Sequence, residues 1–294
     1  MPESPAIPSR SRFSPSAPAD SLRAKRRKDK MNDLILTERH GPVLRLTLNM
    51  PQSLNALSDA MLAALRERFT ALASDGATRV VILRGAGKAF CAGHDLKEMQ
   101  AARVAPDKGA AYFLNLFQRC GAVMQMIPAL PQPVIAEVQG IATAAGCQLV
   151  ATCDMAVAAE GTRFGVNGVN IGLFCSTPMV ALSRNIPRKQ AFEMLTTGEF
   201  IDANRARDLG LVNRVVPHAD LSDATLALAQ TVAGKLGAAV KIGKRAFYDQ
   251  IDMGLAEAYA HTAAVMQENM LWRDTAEGIQ AFLEKRHPDW QDQG

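Results

Sequence analysis

Two short stretches, each following an apolar strand-like run, constrain the fold more than any other part of the sequence. The first, Lys88–Met99, reads Lys-Ala-Phe-Cys-Ala-Gly-His-Asp-Leu-Lys-Glu-Met and follows Val80–Leu83. The second, Gly140–Asp154, follows Pro133–Val138 and opens with Gly and Ala residues. Each pattern is typical of a strand that passes through a turn into a helix, whose first amides have no acceptor within the helix. Two such turns that face each other can direct two N–H donors at one oxygen atom, which is the geometry of an oxyanion hole.

Apolar periodicity predicts an α/β core followed by a helical end. Alternating apolar residues around Gly41-Pro42 predict a β-hairpin, and Ser58 is the expected N-cap of an amphipathic helix that runs to about Ala73. Strand–helix–strand order favours a parallel crossover. The other predicted strands are 80–83, 134–138 and 154–158. The other predicted helices are 107–127 (ended by Pro128, Pro131 and Pro133), 144–152, 202–209, 219–234, 238–250, 254–270 and 274–286. We therefore expect an α/β core over 31–218 and a helical C-terminal region over 219–294.

The first 30 residues differ in composition from the rest of the chain. They are rich in Pro, Ser and Ala, include the basic cluster Arg23–Lys30 and contain few bulky apolar side chains, so we expect a disordered tail. This tail holds 8 Lys or Arg and 3 Asp or Glu, whereas the whole chain carries a net charge of +4. The remainder is close to neutral and gives no basic signal for nucleic acid.

Met31 is the functional start that we favour over a targeting role for the tail, because its Pro density and missing amphipathic pattern argue against a transit peptide. Nucleic-acid binding by the tail is a third, less favoured interpretation. The five Cys residues form no Cys-x-x-Cys pair and the five His residues stand far apart, which suits a reducing compartment and predicts no metal site. No apolar run approaches the roughly 20 residues of a membrane span. These features predict a cytoplasmic protein with no nucleic-acid or membrane partner.

Five motifs in order, within residues 33 to 290, give the chain a resemblance to the crotonase superfamily, that is, the enoyl-CoA hydratase/isomerase family. They are the two stretches above, the early turn Leu48–Leu57, the pair Phe164-Gly165 and the late Phe282–Arg286. The chain resembles one subgroup of that family in particular, through the segments Gly93–Leu96, Ala142–Val150 and Gly172–Pro178. The resemblance implies a crotonase-like β/α spiroid core, a helical C-terminal region that forms trimers, and often a dimer of trimers.

The resemblance also implies which residues bind an acyl-CoA thioester. The backbone N–H groups of His94 and Ala145 correspond to the donors that bind the thioester oxygen. Coenzyme A enters as part of the substrate, so no separate cofactor is expected. The residues expected to contact it are Ser53, Leu54, Ala92, Asp95 and Lys97, with Phe282 and Lys285 close to its pantetheine or phosphates.

Two positions depart from the hydratases of the family. Hydration of a 2-enoyl thioester needs a base that activates water at Cβ and an acid that protonates Cα, and the resemblance implies a glutamate for each. This chain has Gln148 and Gly168 at those positions, and neither exchanges a proton near neutral pH. Ser176 stands where dienoyl isomerases of the family carry a second carboxylate.

Several polar groups remain near the expected pocket, and they leave the chemistry open. Gln148, Asn170 and Ser176, together with Asn167 and Thr177, are candidates for orienting water or substrate. The imidazole of His94 has an unperturbed pKa of about 6.5, but we favour a role for its backbone N–H alone, and an inert buried thiol for Cys175.

Two functions follow from these residues. One is an acyl-CoA-binding enzyme of fatty-acid or acyl-CoA metabolism that stabilises a thioester enolate, acting as an atypical hydratase, an isomerase or a thioester-cleaving enzyme. The other is a non-catalytic binding or regulatory protein of the same fold.

Overall fold

A six-stranded, mainly parallel sheet organises the computed structural model, which describes residues 34–292; the tail prediction lies outside the described residues. The strands are β1 (Ile35–His40), β2 (Val43–Leu48), β3 (Val80–Gly85), β4 (Val134–Val138), β6 (Met155–Ala159) and β9 (Arg214–Val216), in that order. The first two form the predicted antiparallel hairpin, and β2, β3, β4, β6 and β9 are parallel. A smaller sheet holds Ile141–Thr143 (β5), Arg163–Gly165 (β7) and Ile201–Asp202 (β8).

The helices follow the predicted pattern closely. Ser58 caps the first of them, since its hydroxyl accepts a 3.2 Å hydrogen bond from the amide of Met61. The helix predicted over 107–127 covers Ala110–Ala129 and ends before Pro131, within the predicted run of prolines; Pro128 lies in its last turn, where only one helical hydrogen bond is forfeited. The α-helices are Asp59–Leu72, Leu96–Ala102, Ala110–Ala129, Ala145–Thr152, Pro178–Asn185, Arg188–Thr197, Ala203–Asp208, Leu221–Ala233, Gly237–Gln250, Leu255–Met270 and Arg273–Leu283.

Both faces of the main sheet are covered, which explains the uninterrupted apolar run at β3. Val81 and Leu83 belong to the larger core, built with the helices Asp59–Leu72 and Ala110–Ala129. Val80 and Ile82 project to the other face and pack with side chains of the helix Leu221–Ala233. Strands that are buried on both faces read as continuous hydrophobic runs rather than as alternating ones.

The C-terminal helices are anchored at the edge of the sheet where the parallel strands begin. Lys244 donates to the carboxylate of Asp154, which directly precedes β6, at 2.7 Å and to the carbonyl of Gln132, just before β4, at 2.9 Å. The two turns that follow β3 and β4 lie at the opposite edge. Whether a domain boundary falls at 218 stays a prediction: Leu221–Ala233 packs on the sheet, whereas Leu255–Met270 buries none of its residues.

Candidate active site

The two turns approach each other closely at the carboxyl ends of β3 and β4. The amide of Thr143 donates to the carbonyl of Cys91 at 3.1 Å, and the amide of Phe90 donates to the carbonyl of Gln139 at 3.0 Å. A Cβ on Gly146 would lie 2.1 Å from the carbonyl oxygen of Cys91. Glycine at 146 is therefore required for the second helix to start against the first turn.

Two backbone amides at this junction are left without an acceptor. Within residues 34–292, neither the N–H of His94 nor that of Ala145 donates a backbone hydrogen bond. A Cβ built on Gly93 would lie 3.3 Å from the nitrogen of Ala145, so the turn that carries His94 directly adjoins the start of the second helix. The structure thus places the two predicted donors at one junction.

Ala144 holds the second turn in an unusual conformation. Its φ of 49° and ψ of −119° lie in a region that favours glycine, and such strain costs about 1 to 3 kcal/mol. The amide of Ala144 donates to the carbonyl of Gly165 at 2.9 Å, which fixes the turn against β7. Strained backbone of this kind persists only where its surroundings determine it, and it is concentrated at functional sites.

Two buried amide side chains that the sequence analysis did not single out hold the loops around the site together. Asn55 donates to the carbonyls of Ala86 at 2.9 Å and Ala89 at 2.8 Å. Gln139 donates to the carbonyls of Gly85 at 2.6 Å and Gly87 at 3.1 Å. The only sequence signal for them was their position, Asn55 inside the early turn motif and Gln139 directly before Gly140, because their acceptors lie 31 to 54 residues away.

The imidazole of His94 is half-buried and remains neutral at pH 7. Its ring packs edge-on against Phe117, with centroids 5.6 Å apart, and its Nε2 has no hydrogen-bond partner in the described residues. Burial, assisted by the nearby Arg119 guanidinium, lowers the pKa of His94 to about 4. Arg119 is itself paired with Asp59 at 2.6 Å. A base of that strength is poorly matched to proton abstraction at neutral pH, which supports the backbone role.

The predicted polar residues are distributed unevenly around this junction. Gln148 lies one helical turn after Ala145 and is 5% exposed, and its Oε1 has no partner among the described residues. Asn170 is exposed and donates to the carbonyl of Gly198 at 3.3 Å, so its side chain holds the end of the helix Arg188–Thr197. Ser176 is also exposed.

The position of the second hydratase glutamate is filled by the chain itself. A Cβ on Gly168 would lie 2.3 Å from the carbonyl oxygen of Leu173 and 2.8 Å from the sulfur of Cys175. Burial raises the pKa of the Cys175 thiol, so it stays protonated. No side chain of any size fits at 168 unless the loop 168–175 moves.

The residues expected to contact coenzyme A fall into two groups. Five of them surround the first turn: Ser53, Leu54, Ala92, Asp95 and Lys97. The carbonyl of Leu54 accepts from the amide of Ala92 at 3.0 Å, and Asp95 caps the next helix by accepting from the amide of Lys97 at 2.8 Å.

The other two, Phe282 and Lys285, lie on the surface at the end of the last helix. Phe282 is 82% exposed and Lys285 is exposed. The helix Arg273–Leu283, which contains Phe282 and ends two residues before Lys285, packs against Leu255–Met270. The segment after it is tied by Asp292 to Arg79, which directly precedes β3. Within residues 34–292, the ammonium of Lys285 forms no hydrogen bond and no ion pair with the first turn.

The described residues contain no group of three or more His, Cys, Asp or Glu side chains placed to hold a metal ion. Over the same range, every helix is too short or too polar to cross a membrane.

Comparison with known proteins finds relatives in the family that the sequence motifs resemble. The family described as enoyl-CoA hydratase/isomerase matches residues 38–293. The chain is 45% identical over 256 residues to "Enoyl-CoA hydratase domain-containing protein 3, mitochondrial" of Xenopus laevis, covering 87% of this chain and 85% of the relative. The human protein of the same name is 45% identical over 248 residues, covering 84% and 80%. This is the subgroup indicated by Gly93–Leu96, and that prediction is confirmed.

Solved structures agree with the sequence relatives. The enoyl-CoA hydratase of Mycobacterium smegmatis superimposes with a TM-score of 0.84 at 55% identity, covering 87% of this chain and 98% of that one. Human enoyl-CoA hydratase domain-containing protein 3 gives a TM-score of 0.83 at 43% identity, with coverage of 87% and 100%. The predicted crotonase-type α/β fold with a helical C-terminal region is thereby confirmed.

The prediction of a cytoplasmic protein is wrong. It rested on the scattered cysteines and on the absence of a recognisable signal, and neither feature distinguishes one reducing compartment from another. The relatives in frog, zebrafish, rat, human and mouse all carry "mitochondrial" in their names.

Proposed function

Since the chain belongs to the enoyl-CoA hydratase/isomerase family, we propose that it binds an acyl-CoA thioester and stabilises its enolate form through the N–H groups of His94 and Ala145. One observation carries the proposal: these two amides lie at one junction and have no backbone acceptor in the described residues. A thioester enolate concentrates negative charge on oxygen, and loss of one preorganised donor to such an oxygen typically costs about 3 kcal/mol of barrier. Coenzyme A is part of the substrate, and no further cofactor is proposed.

The reaction differs from hydration by two carboxylates. Position 168 admits no glutamate because Leu173 and Cys175 fill the space, and Gln148 cannot transfer a proton at neutral pH. We favour an enzyme of acyl-CoA metabolism, a lyase or isomerase by family resemblance, whose proton-transfer group is not one of the two family glutamates. The low pKa of the His94 imidazole does not favour it for that role.

The second candidate is a non-catalytic acyl-CoA-binding or regulatory protein. The crowding at Gly168 favours it, because the loop 168–175 has closed the space where a catalytic carboxylate would act. Both candidates share the thioester site and differ only in turnover.

Assembly is part of the proposal. The C-terminal helices expose large apolar side chains, namely Leu255, Tyr259, Met266, Met270, Leu271, Ile279, Phe282 and Leu283. An exposed apolar surface of this kind is typical of a protein–protein interface, and Phe282, at 82% exposed, lies on it. A homotrimer or a dimer of trimers would cover these faces. Equilibrium sedimentation would give the mass of the trimer or of the dimer of trimers. A monomer at micromolar concentration would contradict the proposed assembly.

Calorimetry with two matched ligands tests the thioester site. Butyryl-CoA carries the carbonyl oxygen, whereas S-butyl-CoA is a thioether of the same length without it. We expect tighter binding of the thioester. Equal affinities would show that the oxygen is not recognised, and no binding of either ligand at millimolar concentration would remove the proposal. Turnover of crotonyl-CoA or a longer enoyl-CoA that the Gln148→Ala variant loses would exclude the non-catalytic candidate.

A further inference from the structure

The helix Leu96–Ala102, which begins directly after the first turn, is held to the protein by few contacts. It has seven residues and none of them is fully buried. Among its apolar side chains, Met99 packs against the larger core, whereas Leu96 is 55% exposed. His94 lies two residues before this helix, and Asp95 between them is the N-cap. A shift of the start of the helix therefore changes the direction of the His94 N–H.

One side chain of this helix reaches across to the neighbouring helix Asp59–Leu72. Oε2 of the half-buried Glu98 accepts a 2.8 Å hydrogen bond from the backbone amide of Asp59, the first residue of that helix. The first amides of a helix have no acceptor within the helix itself, and a carboxylate at this end is favoured by the helix dipole. Glu98 thus ties the helix that follows the first turn to a residue 39 positions earlier in the chain.

Asp59 is itself held firmly in place. Its carboxylate accepts a hydrogen bond from the guanidinium of Arg119 at 2.6 Å and another from the hydroxyl of Tyr112 at 3.3 Å. Both donors belong to the helix Ala110–Ala129. The contact of Glu98 is therefore made with a helix end that is already fixed to a third helix.

The peptide group that carries the His94 N–H is held by the same segment. The amide of Leu57 donates to the carbonyl of Gly93 at 2.7 Å. In a planar trans peptide group the C=O and the N–H point in opposite directions, so this bond directs the His94 N–H away from Leu57. The amides of Leu57 and Asp59 thus hold the first donor on both sides, the second of them through Glu98.

We propose that Glu98 is a positioning residue for thioester recognition: by anchoring its helix to Asp59, it fixes the direction of the His94 N–H. This rests on the proposed function, in which that N–H and the N–H of Ala145 bind the thioester oxygen. In this role Glu98 neither contacts the thioester nor transfers a proton. Because a hydrogen bond weakens steeply as its angle departs from linear, loss of Glu98 should weaken recognition of the oxygen and leave the other contacts with the acyl-CoA in place.

Calorimetry tests this role through the ratio of the butyryl-CoA affinity to the S-butyl-CoA affinity, which reports on recognition of the oxygen alone. Glu98→Leu has no acceptor in its side chain and should lower the ratio about fivefold, which corresponds to about 1 kcal/mol for one hydrogen bond. Glu98→Gln retains an acceptor oxygen and should keep the ratio close to the wild-type value. Glu98→Asp keeps the charge but is shorter by one methylene group, so it should lower the ratio as Glu98→Leu does.

Ser58→Ala is the matched control, because it removes a different cap from the same helix end, the 3.2 Å hydrogen bond from the Met61 amide. It should lower the melting temperature and leave the affinity ratio at the wild-type value, whereas a purely structural role for Glu98 would make the two substitutions act alike.

Three results overturn the role of Glu98 while the thioester site stands: a ratio that Glu98→Leu does not lower, one that Ser58→Ala lowers equally, or one that Glu98→Gln does not preserve. If Glu98→Leu does not fold, Glu98→Asp and Glu98→Gln decide the question, since equal ratios in these two variants would contradict the proposal. If the wild type binds both ligands equally, recognition of the oxygen falls and the role of Glu98 falls with it.

Discussion

A Cβ atom on Gly140 would lie 1.9 Å from the carbonyl oxygen of Lys88. Gly140 also has a φ of 67°, in the left-handed region. The second turn can therefore cross the first only because residue 140 has no side chain. The distance between the two turns, and hence the junction of His94 and Ala145, depends on this contact.

Gly140→Ala should destabilise the protein and abolish acyl-CoA binding. The added methyl group must displace the Lys88 backbone and accept an unfavourable φ, so we expect a loss of more than about 2 kcal/mol in the free energy of unfolding. Urea denaturation and calorimetry with butyryl-CoA measure the two effects. Gly121→Ala is the control: that helical glycine has no atom within 4 Å of a built Cβ, so stability should rise by about 0.5 to 1 kcal/mol. Equal effects at both positions would contradict the close crossing.

Restoring the family glutamates should not restore hydration. In the double variant Gln148→Glu, Gly168→Glu, the second side chain collides with the carbonyl of Leu173 at 2.3 Å. We expect no hydration of crotonyl-CoA above that of the wild type, together with lower stability. The single variant Gln148→Glu lacks this collision. It therefore separates the effect of the first glutamate from the effect of the second. Efficient hydration by the double variant would show that the loop 168–175 moves freely.

The imidazole of His94 should make stability depend on pH. Its pKa is about 4 in the folded protein, against about 6.5 when unfolded. Because the folded value is the lower one, the unfolded chain binds the proton more readily, and stability is lost as the pH falls from about 6.5 toward 4. Between about pH 7.5 and pH 5, the wild type should lose about 2 kcal/mol more than His94→Leu in urea denaturation. Parallel losses in the two proteins would mean that His94 titrates normally.

Lys244→Met should be strongly destabilising. Lys244 is buried and pairs with Asp154 at 2.7 Å, so the substitution leaves a carboxylate without its cation. Removing one partner of a buried ion pair costs about 3 to 5 kcal/mol, and thermal and urea unfolding would record it. Lys241→Met, on the exposed face of the same helix, should stay within about 0.5 kcal/mol of the wild type.

Local signals predicted most of the architecture. The hairpin around Gly41-Pro42 and the Ser58 cap depend on neighbouring residues alone, and both formed as expected. The helix Ala110–Ala129 ends within the predicted run of prolines but includes Pro128 in its last turn, because a proline costs little where no further turn follows it.

The site was harder to predict than the fold. His94 and Ala145 could be proposed from the sequence because the role proposed for them is carried by backbone at turns with recognisable small residues. The hydrogen bonds of Asn55 and Gln139 join residues that are distant in sequence, so no periodicity reveals them. Crowding at Gly168 and the exposure of Phe282 depend on tertiary packing, which motif spacing does not specify.

The contacts of Lys244 also lead us to expect an order of events during folding. Its ammonium donates to the carbonyls of Ile127 and Gln132, on either side of the end of the helix Ala110–Ala129. Ile127 and Gln132 lie 117 and 112 residues before Lys244 in the chain. We therefore expect the end of that helix to be fixed in place only after the C-terminal region has docked. Closing so long a loop costs entropy before the contacts form, so the end of this helix should be among the last parts of the molecule to gain protection against amide hydrogen exchange during refolding.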